Sequence, residues 1–453
     1  MSMMSTKTAA GITGGIVRGG DIGFARVSTD SRKIRNGDLF VALRGERFDG
    51  HLYAQAALDA GAAAVLVDSA DAGTTEPAIM VADTRLALGV LSAHWRKTQH
   101  ARIIGITGSS GKTTVKEMLA SILRVEAGDD AVLATAGNLN NDIGMPLTLL
   151  SLNDKHRYGV IEMGMNHRGE LDYLSRLACP DIVLINNAGT AHIGLLGSLQ
   201  AIAEAKGEIL TGCAQTEIAI INADDIYAPL WRQLAANKKV VEFGVDSAAA
   251  SIRGRYEAHA EYSDIRLDLA GNVRTLRLPV PGKHNVMNAL AAAAAAWALG
   301  VPAEAIVAGL QEFGGIYGRL QYKPGRNGAV VIDDSYNANP DSVRAAISVL
   351  ANVKGTRLLV LGDMGELGDN GIAAHADIGA YARQAGIEGL FTLGELSRES
   401  ATAFGAGAQH FAEMSELGAA LLPRLAPGVT VLVKGSRFMG MERAIDMVGL
   451  DDE

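Results

Sequence analysis

The chain has 453 residues, and its 41 Lys and Arg residues against 50 Asp and Glu residues give a formal net charge of −9. This length exceeds what one hydrophobic core supports, so two to three domains are expected. The acidic balance argues against a general binder of nucleic acid or membrane surfaces, and two cysteines provide neither a disulfide framework nor a cysteine-based zinc site.

The N-terminal residues show no basic segment followed by an apolar core, so no signal peptide is predicted. The longest weakly polar stretch, residues 289–310, is mostly alanine and is interrupted by Gly300, Pro302 and Glu304. This pattern favours a buried helix over a membrane span. A reducing cytoplasm is the expected compartment.

The first block of the chain runs to about His100, with a strand predicted over 38–43 and an alanine-rich helix over 53–60. The second block begins with an apolar strand over 102–107, followed by a Gly/Ser turn and a helix to about residue 123. Its further strands are predicted over 132–134, 158–162, 181–185 and 217–221. A β-rich region follows over 240–280, and an alanine-rich helix begins near Asn285.

The third block repeats the alternation after a Gly-rich linker at 314–318. Strands are predicted over 329–332, 357–361, 390–393 and 429–433, with helices starting near 341, 371 and 441. Alternation of this kind indicates α/β domains with parallel sheets covered on both faces. The predicted domains are 1–99, 100–313 and 314–453.

The turn after the strand at 102–107 has the composition of a phosphate-binding loop. Its backbone N–H groups and the following helix N-terminus suit a polyphosphate, with Lys112 reaching the β- and γ-phosphates and Thr113 holding Mg²⁺. Ile106 stands where the strict spacing has glycine, and Gly105 is one residue early. A ligand-free glycine turn is the alternative, but strand, Gly-Lys-Thr and helix occur in the required order.

Polar residues repeatedly follow the carboxyl ends of the predicted strands. They are the loop at 107–113, Glu162, Asn186 and Asn187 with His192 beyond, Asp333 and Asp334, Gly362 and Asp363, and Lys434 and Gly435. Open parallel sheets bind ligands at this edge. Two such edges facing each other predict a cleft between the second and third domains.

Each candidate also has a plainer interpretation. Glu162 can hold Mg²⁺ or cap a turn. His192 lies in a glycine-containing loop, which favours ligation over a structural role. Lys206 lies on an amphipathic helix, which by itself indicates a solvated surface charge. Asn285 is favoured as a helix N-cap over an adenine contact.

Two loops are rich in amide and carboxylate side chains. The run at 333–340 suits a turn and a helix start, but its two carboxylates and Tyr336 exceed what a turn requires. The loop at 138–144 is explained by turn chemistry, and its amides also suit recognition of a polar substrate.

At these positions the chain resembles the Mur ligases, the ATP-dependent amide-forming enzymes of bacterial cell-wall synthesis. The motifs that carry the resemblance span the chain at 107–113, 137–144, 186–192, 205–208, 284–288, 318–320, 333–340, 362–368 and 434–437. The runs at 334–340 and 363–367 are typical of the member that adds D-alanyl-D-alanine to UDP-N-acetylmuramoyl-tripeptide. No Asp-Asn-Pro-Arg run is present, which would suggest the sister that adds diaminopimelate or lysine.

The resemblance implies three domains: a small α/β N-terminal domain that binds the UDP end, a central P-loop domain, and a Rossmann-like C-terminal domain. It implies ATP and Mg²⁺ as cofactors, the UDP-linked tripeptide and D-alanyl-D-alanine as partners, and a role in peptidoglycan synthesis, cell shape and division. No nucleic-acid partner and no membrane insertion are expected from the charge and hydropathy, and a monomer is expected although the sequence does not determine the oligomeric state. The third residue of the tripeptide stays open.

The resemblance also implies residue roles. The implied catalytic residues are Lys112, Glu162, His192 and Lys206, the last as a carbamate. The implied Mg²⁺ ligands are Thr113, Glu162 and His192. The implied ATP contacts are Thr107, Gly108, Ser109, Ser110, Gly111, Lys112, Thr113, Asn285, Arg319 and Asp334. The implied substrate contacts are Ser31, Arg32, Asp49, Asn138, Asn141, Asp142, Tyr336 and Asn337.

Two alternatives remain at this stage. A folylpolyglutamate synthase-like ligase would share the P-loop but not the N-terminal motifs or the Asn-Ala-Asn-Pro run. A non-catalytic nucleotide-binding protein would have no need to keep Lys112, Glu162, His192 and Lys206 together.

Overall fold

The computed structural model describes residues 2–46, 48–68 and 76–450. Three main sheets follow one another along the chain, each with helices packed against it, which confirms the predicted α/β class and three-domain fold. No helix among these residues is long and apolar enough to cross a membrane.

The first domain contains a mixed sheet in the order β2-β7-β6-β5-β4, in which only the β2–β7 pair is antiparallel. A short antiparallel pair, β1 with β3, lies beside it. The strands are β1 Met4–Ser5, β2 Ile16–Arg18, β3 Gly23–Phe24, β4 Arg26–Ser28, β5 Asp38–Val41, β6 Ala64–Val67 and β7 Ala78–Met80, and the helices are α1 Thr6–Thr13, α2 Ala54–Asp59 and α3 Thr84–Thr98.

The central domain contains a sheet in the order β16-β15-β14-β13-β12-β11-β8-β10-β9. Its strands are β8 Arg102–Thr107, β9 Val132–Ala134, β10 Tyr158–Glu162, β11 Ile182–Ile185, β12 Ile218–Asn222, β13 Lys239–Gly244, β14 Ile252–Ala258, β15 Ser263–Leu269 and β16 Asn272–Leu278. Its helices are α4 Lys112–Ala127, α5 Gly144–Leu149, α6 Glu170–Ala178, α7 Ile193–Leu196, α8 Leu199–Thr211, α9 Ala228–Leu234, α10 Lys283–Ala298 and α11 Ala303–Gln311.

The C-terminal domain contains a sheet in the order β17-β18-β22-β19-β20-β21, parallel except for β17. Its strands are β17 Gln321–Pro324, β18 Val330–Asp334, β19 Thr356–Gly362, β20 Gly389–Leu393, β21 Ala408–Phe411 and β22 Val429–Lys434. Its helices are α12 Pro340–Ala351, α13 Gly371–Gln384, α14 Ser397–Phe404, α15 Met414–Leu421 and α16 Glu442–Val448.

The core of the central domain occupies both faces of its sheet. Ile103 of β8 packs into the cluster on one face, and Ile104 and Ile106 pack into the cluster on the other. A parallel strand covered on both sides must be apolar at successive positions, which is why β8 reads as a continuous hydrophobic run. The alanines of α10 pack closely against α4 and fix the helix that starts at the P-loop.

The β-rich region predicted over 240–280 contains three antiparallel strands, β14, β15 and β16. The two-residue turn Ala270-Gly271, with both φ values positive, joins β15 to β16 and leaves no length for a crossover helix.

The expectation for the start of α10 is corrected by the structure. Asn285 is not the N-cap of α10: Gly282 holds that position, and Asn285 Nδ2 donates to the Pro281 carbonyl at 2.8 Å.

The two cysteines lie close together in the fold. Cys179 follows α6 and Cys213 follows α8, and because these two helices pack together the Cα atoms of the two residues are 5.4 Å apart.

Candidate active site

The predicted phosphate loop connects β8 to α4 with the expected geometry. Gly111 is the N-cap of α4 at φ 80°, and a Cβ there would lie 2.3 Å from Asn288 Oδ1, so only glycine fits. Lys112 Nζ donates to the Gly108 carbonyl at 2.7 Å, so the lysine folds back over its own loop. Ile106 is fully buried in β8 and does not disturb the turn.

Asparagines from elsewhere in the chain hold this loop in place. Asn186, directly after β11, donates from Nδ2 to the Ser110 carbonyl and to Asn288 Oδ1, both at 2.9 Å. The Ser110 N–H donates to Asn187 Oδ1 at 2.9 Å. Asn288 is therefore part of the site, although local sequence gives it no more than a place in the alanine-rich helix.

Glu162 ends β10 and is 2% exposed. Its Oε1 accepts a hydrogen bond from Asn140 Nδ2 at 2.7 Å, whereas its buried Oε2 has no partner. An unpartnered carboxylate oxygen in a buried position fits a cation, because a bound cation removes the cost of burying that charge. Asn140 is a second site residue to which the local sequence assigns no role.

No group of three or more His, Cys, Asp or Glu side chains suited to a metal occurs in the part of the chain that the structure describes. Glu162, His192 and the Thr113 hydroxyl would therefore supply only part of a coordination shell. This sparse set fits Mg²⁺, which is commonly bound by one or two carboxylates together with phosphate oxygens and water.

Two lysines lie near these groups, of which Lys206 is buried and Lys112 is half-buried. Burial lowers the pKa of Lys112, while the nearby Glu162 carboxylate opposes that shift. Burial lowers the pKa of Lys206 well below its usual value, and the ammonium of Lys112 lowers it further. Lys206 is 1% exposed and forms no ion pair with a described carboxylate, so the prediction of a solvated surface charge is wrong. Helix α8 is buried along most of its length, so an amphipathic sequence pattern does not place its lysine in solvent.

The C-terminal domain contributes a charged wall to the same site. Arg319 donates from Nη2 to Thr113 Oγ1 at 3.1 Å, and its guanidinium carbon lies 4.5 Å from the centre of the Tyr336 ring. Asp334 at the end of β18 pairs with Lys434 at 2.6 Å. Burial raises the pKa of Asp334, and the Lys434 ammonium opposes that shift.

Further contacts join the central and C-terminal domains. Thr190 donates from its N–H and its hydroxyl to Asp341 Oδ2, at 2.7 and 2.8 Å. His192 Nδ1 lies 2.6 Å from Glu366 Oε2, and this contact is the first cause of the lowered pKa of Glu366. His192 and Glu366 have φ values of 64° and 63°, so two non-glycine residues in the left-handed region meet across the interface.

The two backbones also touch at a pair of glycines beside this contact. The Gly194 N–H donates to the Glu366 carbonyl at 3.0 Å. A Cβ at Gly194 would lie 2.5 Å from the Gly368 nitrogen, so the domains approach each other with no room for a side chain.

The phosphate loop, Glu162, His192 and the charged wall of the C-terminal domain line a cavity of about 1210 Å³ between the central and C-terminal domains. The predicted site residues along it are Ser109, Ser110, Gly111, Lys112, Thr113, Asn138, Asn141, Glu162, His192, Asn285, Arg319, Asp334, Tyr336 and Asn337. The predicted cleft between two carboxyl edges is therefore present.

Other predicted residues are engaged away from this cavity. Arg32 forms two hydrogen bonds with the Asp30 carboxylate, at 2.9 and 3.0 Å, and Ser31 lies beside it in the same short helix. Asp49 Oδ1 accepts from the His51 N–H at 2.9 Å, which is the first cause of its lowered pKa.

The loop at 138–143 also faces the first domain. Asp142 forms an ion pair with Arg85 of α3, with Nη2 donating to Oδ1 at 2.7 Å. Asn141 Oδ1 accepts from the Gly144 N–H at 2.8 Å and so helps to start α5. The loop thus connects the first domain to Glu162 through Asn140.

Three family models match the chain in order. They are the Mur ligase family catalytic domain over residues 24–96, the Mur ligase middle domain over 106–296, and the Mur ligase glutamate ligase domain over 318–437.

Relatives match almost the whole length. The UDP-N-acetylmuramoyl-tripeptide–D-alanyl-D-alanine ligase of Escherichia coli K12 is 43% identical over 439 residues, 96% of each chain. A crystal structure of MurF from Acinetobacter baumannii superposes with a TM-score of 0.91 at 35% identity over 98% of each chain. A crystal structure of MurF ligase from Thermotoga maritima in complex with ADP gives a TM-score of 0.83 at 26% identity, over 93% of this chain and 96% of that one.

Proposed function

The chain belongs to the Mur ligase family, and from that premise we propose how its cleft works. It is an ATP-dependent ligase that joins D-alanyl-D-alanine to UDP-N-acetylmuramoyl-tripeptide and so makes a peptidoglycan precursor. The observation that carries the residue-level proposal is the cleft itself, in which Arg319 of the C-terminal domain reaches Thr113 of the phosphate loop.

The reaction has two steps. The terminal carboxylate of the tripeptide attacks the γ-phosphorus of ATP, which forms an acyl phosphate and releases ADP. The amine of D-alanyl-D-alanine then attacks the acyl carbon, and a tetrahedral intermediate collapses with loss of phosphate and a proton. The chain's contribution is positioning and charge neutralisation, with Lys112 and the loop N–H groups on the phosphates.

Mg²⁺ would be held by Thr113, Glu162 and His192. When bound, it would neutralise phosphate charge and orient the γ-phosphoryl group. The unpartnered Oε2 of Glu162 supports this assignment.

Lys206 is proposed to carry a carbamate. Its lowered pKa favours the neutral amine, which is the form that adds CO₂ to Nζ with release of one proton. The product is an anionic group near Lys112. Loading with carbon-13-labelled bicarbonate tests this directly, since a carbamate resonance should be absent from a folded Lys206→Ala variant.

The remaining site residues are assigned to the nucleotide or to the other substrate according to where they lie. Asn285, Arg319 and Asp334 line the cavity with the phosphate loop, which supports nucleotide contacts. The proposed contacts to the peptide or UDP end are Ser31, Arg32, Asp49, Asn138, Asn141, Asp142, Tyr336 and Asn337. The domain boundaries 1–99, 100–313 and 314–453 remain proposals, as do a monomeric state and a cytoplasmic location where ATP is supplied.

Phosphate release from ATP and Mg²⁺ tests the reaction. Release that requires both UDP-N-acetylmuramoyl-tripeptide and D-alanyl-D-alanine, with a pentapeptide product by mass spectrometry, is expected. Nucleotide binding without such release would contradict the assignment.

A further inference from the structure

Lys116 is a buried lysine that has no part in the reaction as proposed above. It lies on α4, its side chain is 1% exposed, and it does not line the cavity. Its ammonium lies 2.7 Å from Glu117 Oε1, but Glu117 is the next residue of the same helix and is itself 33% exposed. Burying an ammonium costs free energy, and an apolar side chain of similar size would avoid that cost. The contact within the helix therefore does not account for a lysine at this position.

A second contact of Lys116 connects α4 to the central sheet. Its Nζ donates to the carbonyl of Thr135, the residue directly after β9, at 2.6 Å. Thr135 is 1% exposed, and its N–H donates to the Val160 carbonyl of β10 at 3.0 Å. The ammonium of Lys116 thus ties the helix that begins at the phosphate loop to the ends of two neighbouring strands.

Thr135 in turn holds Glu162 at the end of β10. The Glu162 N–H donates to Thr135 Oγ1 at 2.9 Å, and this hydrogen bond is buried. Further along the same segment, Asn140 binds Oε1 of the Glu162 side chain. Thr135 therefore fixes the backbone of Glu162 and Asn140 fixes its carboxylate, while Oε2 has no partner.

This connection joins two of the proposed Mg²⁺ ligands. Thr113 is in the first turn of α4, three residues before Lys116, and Glu162 lies at the other end of the connection. Mg²⁺ requires a near-ideal octahedron with oxygen ligands at about 2.0–2.1 Å. A small change in the spacing between α4 and β10 would therefore move the two ligands out of reach of one ion.

We propose that Lys116 is a positioning residue for the ligase reaction: through Thr135 it sets the place of Glu162 relative to Thr113, so that both bind the same Mg²⁺ ion. This role rests on the proposed Mg²⁺ site and adds the group that holds its two sides together. Loss of a group that orients metal ligands typically lowers metal affinity by about 10- to 100-fold.

The test measures the Mg²⁺ concentration that gives half of the maximal thermal stabilisation of the full-length protein, with a non-hydrolysable ATP analogue present. Lys116→Met removes the ammonium and keeps an unbranched side chain of similar size. It should raise this concentration by about tenfold or more. Binding of the analogue in EDTA, measured by calorimetry, should be unchanged, because the phosphate loop is intact.

Lys238→Met is the matched control. Lys238 Nζ also donates to a threonine carbonyl, that of Thr216 at 3.1 Å, but neither residue lines the cavity. This variant should keep the Mg²⁺ requirement of the wild-type protein.

Thr135→Val and Thr135→Ser form a second pair of variants. Valine removes the hydroxyl that accepts from Glu162, so the Mg²⁺ requirement should rise as it does in Lys116→Met. Serine keeps the hydroxyl and should keep the wild-type requirement. If Lys116→Met does not fold, this pair decides: a requirement that is equal in the two variants overturns the proposal.

A purely structural role for Lys116 would give a different result. Lys116→Met would then lower the unfolding temperature without Mg²⁺ and weaken nucleotide binding in EDTA, with no separate change in the Mg²⁺ requirement. That outcome overturns the proposal, as does a wild-type Mg²⁺ requirement in the folded variant.

Glu162→Gln separates this inference from the function on which it rests. If Glu162→Gln keeps the wild-type response to Mg²⁺, the proposed metal site is wrong, and the positioning role falls with it. If Glu162→Gln loses the response while Lys116→Met keeps it, the metal site stands and Lys116 does not position it.

Discussion

The two walls of the cleft satisfy their polar groups in opposite ways. On the central-domain wall, Thr107 Oγ1, Glu162 Oε2 and Asn186 Oδ1 are buried without a hydrogen-bond partner. On the C-terminal wall, Asp334 is paired with Lys434, and Ser436 both donates and accepts. Unpartnered groups reduce stability and are kept where ligands will complete them, whereas a saturated wall is a rigid surface. Substitutions should therefore separate activity from stability according to the wall they change.

Lys112→Ala on the central wall should have the largest effect. Turnover should fall by at least about 10³-fold, because the phosphates lose their principal cation from the chain. Coupled phosphate release measures it, and circular dichroism should show an intact fold. Lys155→Ala, at a surface position, is the control. Near-normal turnover by a folded Lys112→Ala protein would refute the role of the loop.

Asp334→Asn on the C-terminal wall should mainly reduce stability, by about 3–5 kcal/mol, because it leaves the nearly buried ammonium of Lys434 without its carboxylate. Urea unfolding measures the change. Asp377→Asn, whose carboxylate is largely exposed, should change stability by less than about 1 kcal/mol. Equal values for the two variants would mean that this wall is not stabilised by its internal pairs.

Glu162→Gln should give the opposite pattern. Turnover should fall by about 10²-fold if the carboxylate holds the cation. Stability without Mg²⁺ should be unchanged or higher, because the substitution removes a buried charge that has one hydrogen bond. Thermal unfolding with and without Mg²⁺ measures both parts: the wild-type protein should gain stability from the ion and the variant should not. A marked loss of stability in the ion-free variant would contradict the contrast between the walls.

His284 lies between the walls and gives the smallest effect. Its pKa is lowered from 6.5 to about 4, first by burial and then by the Lys434 ammonium. Between these values the unfolded chain binds a proton that the folded chain does not. The contribution of His284 is therefore complete above about pH 6.5 and is lost as the pH falls towards 4.

The expected loss between pH 7 and pH 5 is about 2 kcal/mol. It is measured as the difference in unfolding free energy between the wild-type protein and His284→Gln at each pH. A difference that is constant over this range would show that the histidine titrates normally.

The local elements of the site could be predicted because their signals are local. Strand β8, the glycine turn and α4 lie in one continuous segment, and Glu162 ends an apolar strand. Parallel alternation then places the strand ends at one edge. These features follow from hydrophobic pattern and turn chemistry alone.

The partners of these elements could not be predicted, because they come from distant segments. Asn186 and Asn288 are 102 residues apart, and Arg319 and Thr113 are 206 apart. Neither separation is related to the short repeat of a helix or a strand, so hydrophobic periodicity does not reveal the contact. The burial of Lys206 could not be predicted for a related reason: burial of α8 depends on neighbours that pack on it from outside its own sequence.

The prediction that Asn285 is a helix N-cap was wrong for a local reason, within a few residues of the helix start. A glycine at position 282 with φ 94° begins the helix earlier, and that backbone choice is not encoded by the preference of asparagine for N-caps.

The glycine contact between positions 194 and 368 makes closure of the enzyme sensitive to a volume as small as one methyl group. A wedge at this point would hold the two domains apart without changing any residue that is proposed to contact phosphate, metal or peptide. A small molecule lodged there would therefore inhibit without resembling nucleotide, sugar or peptide.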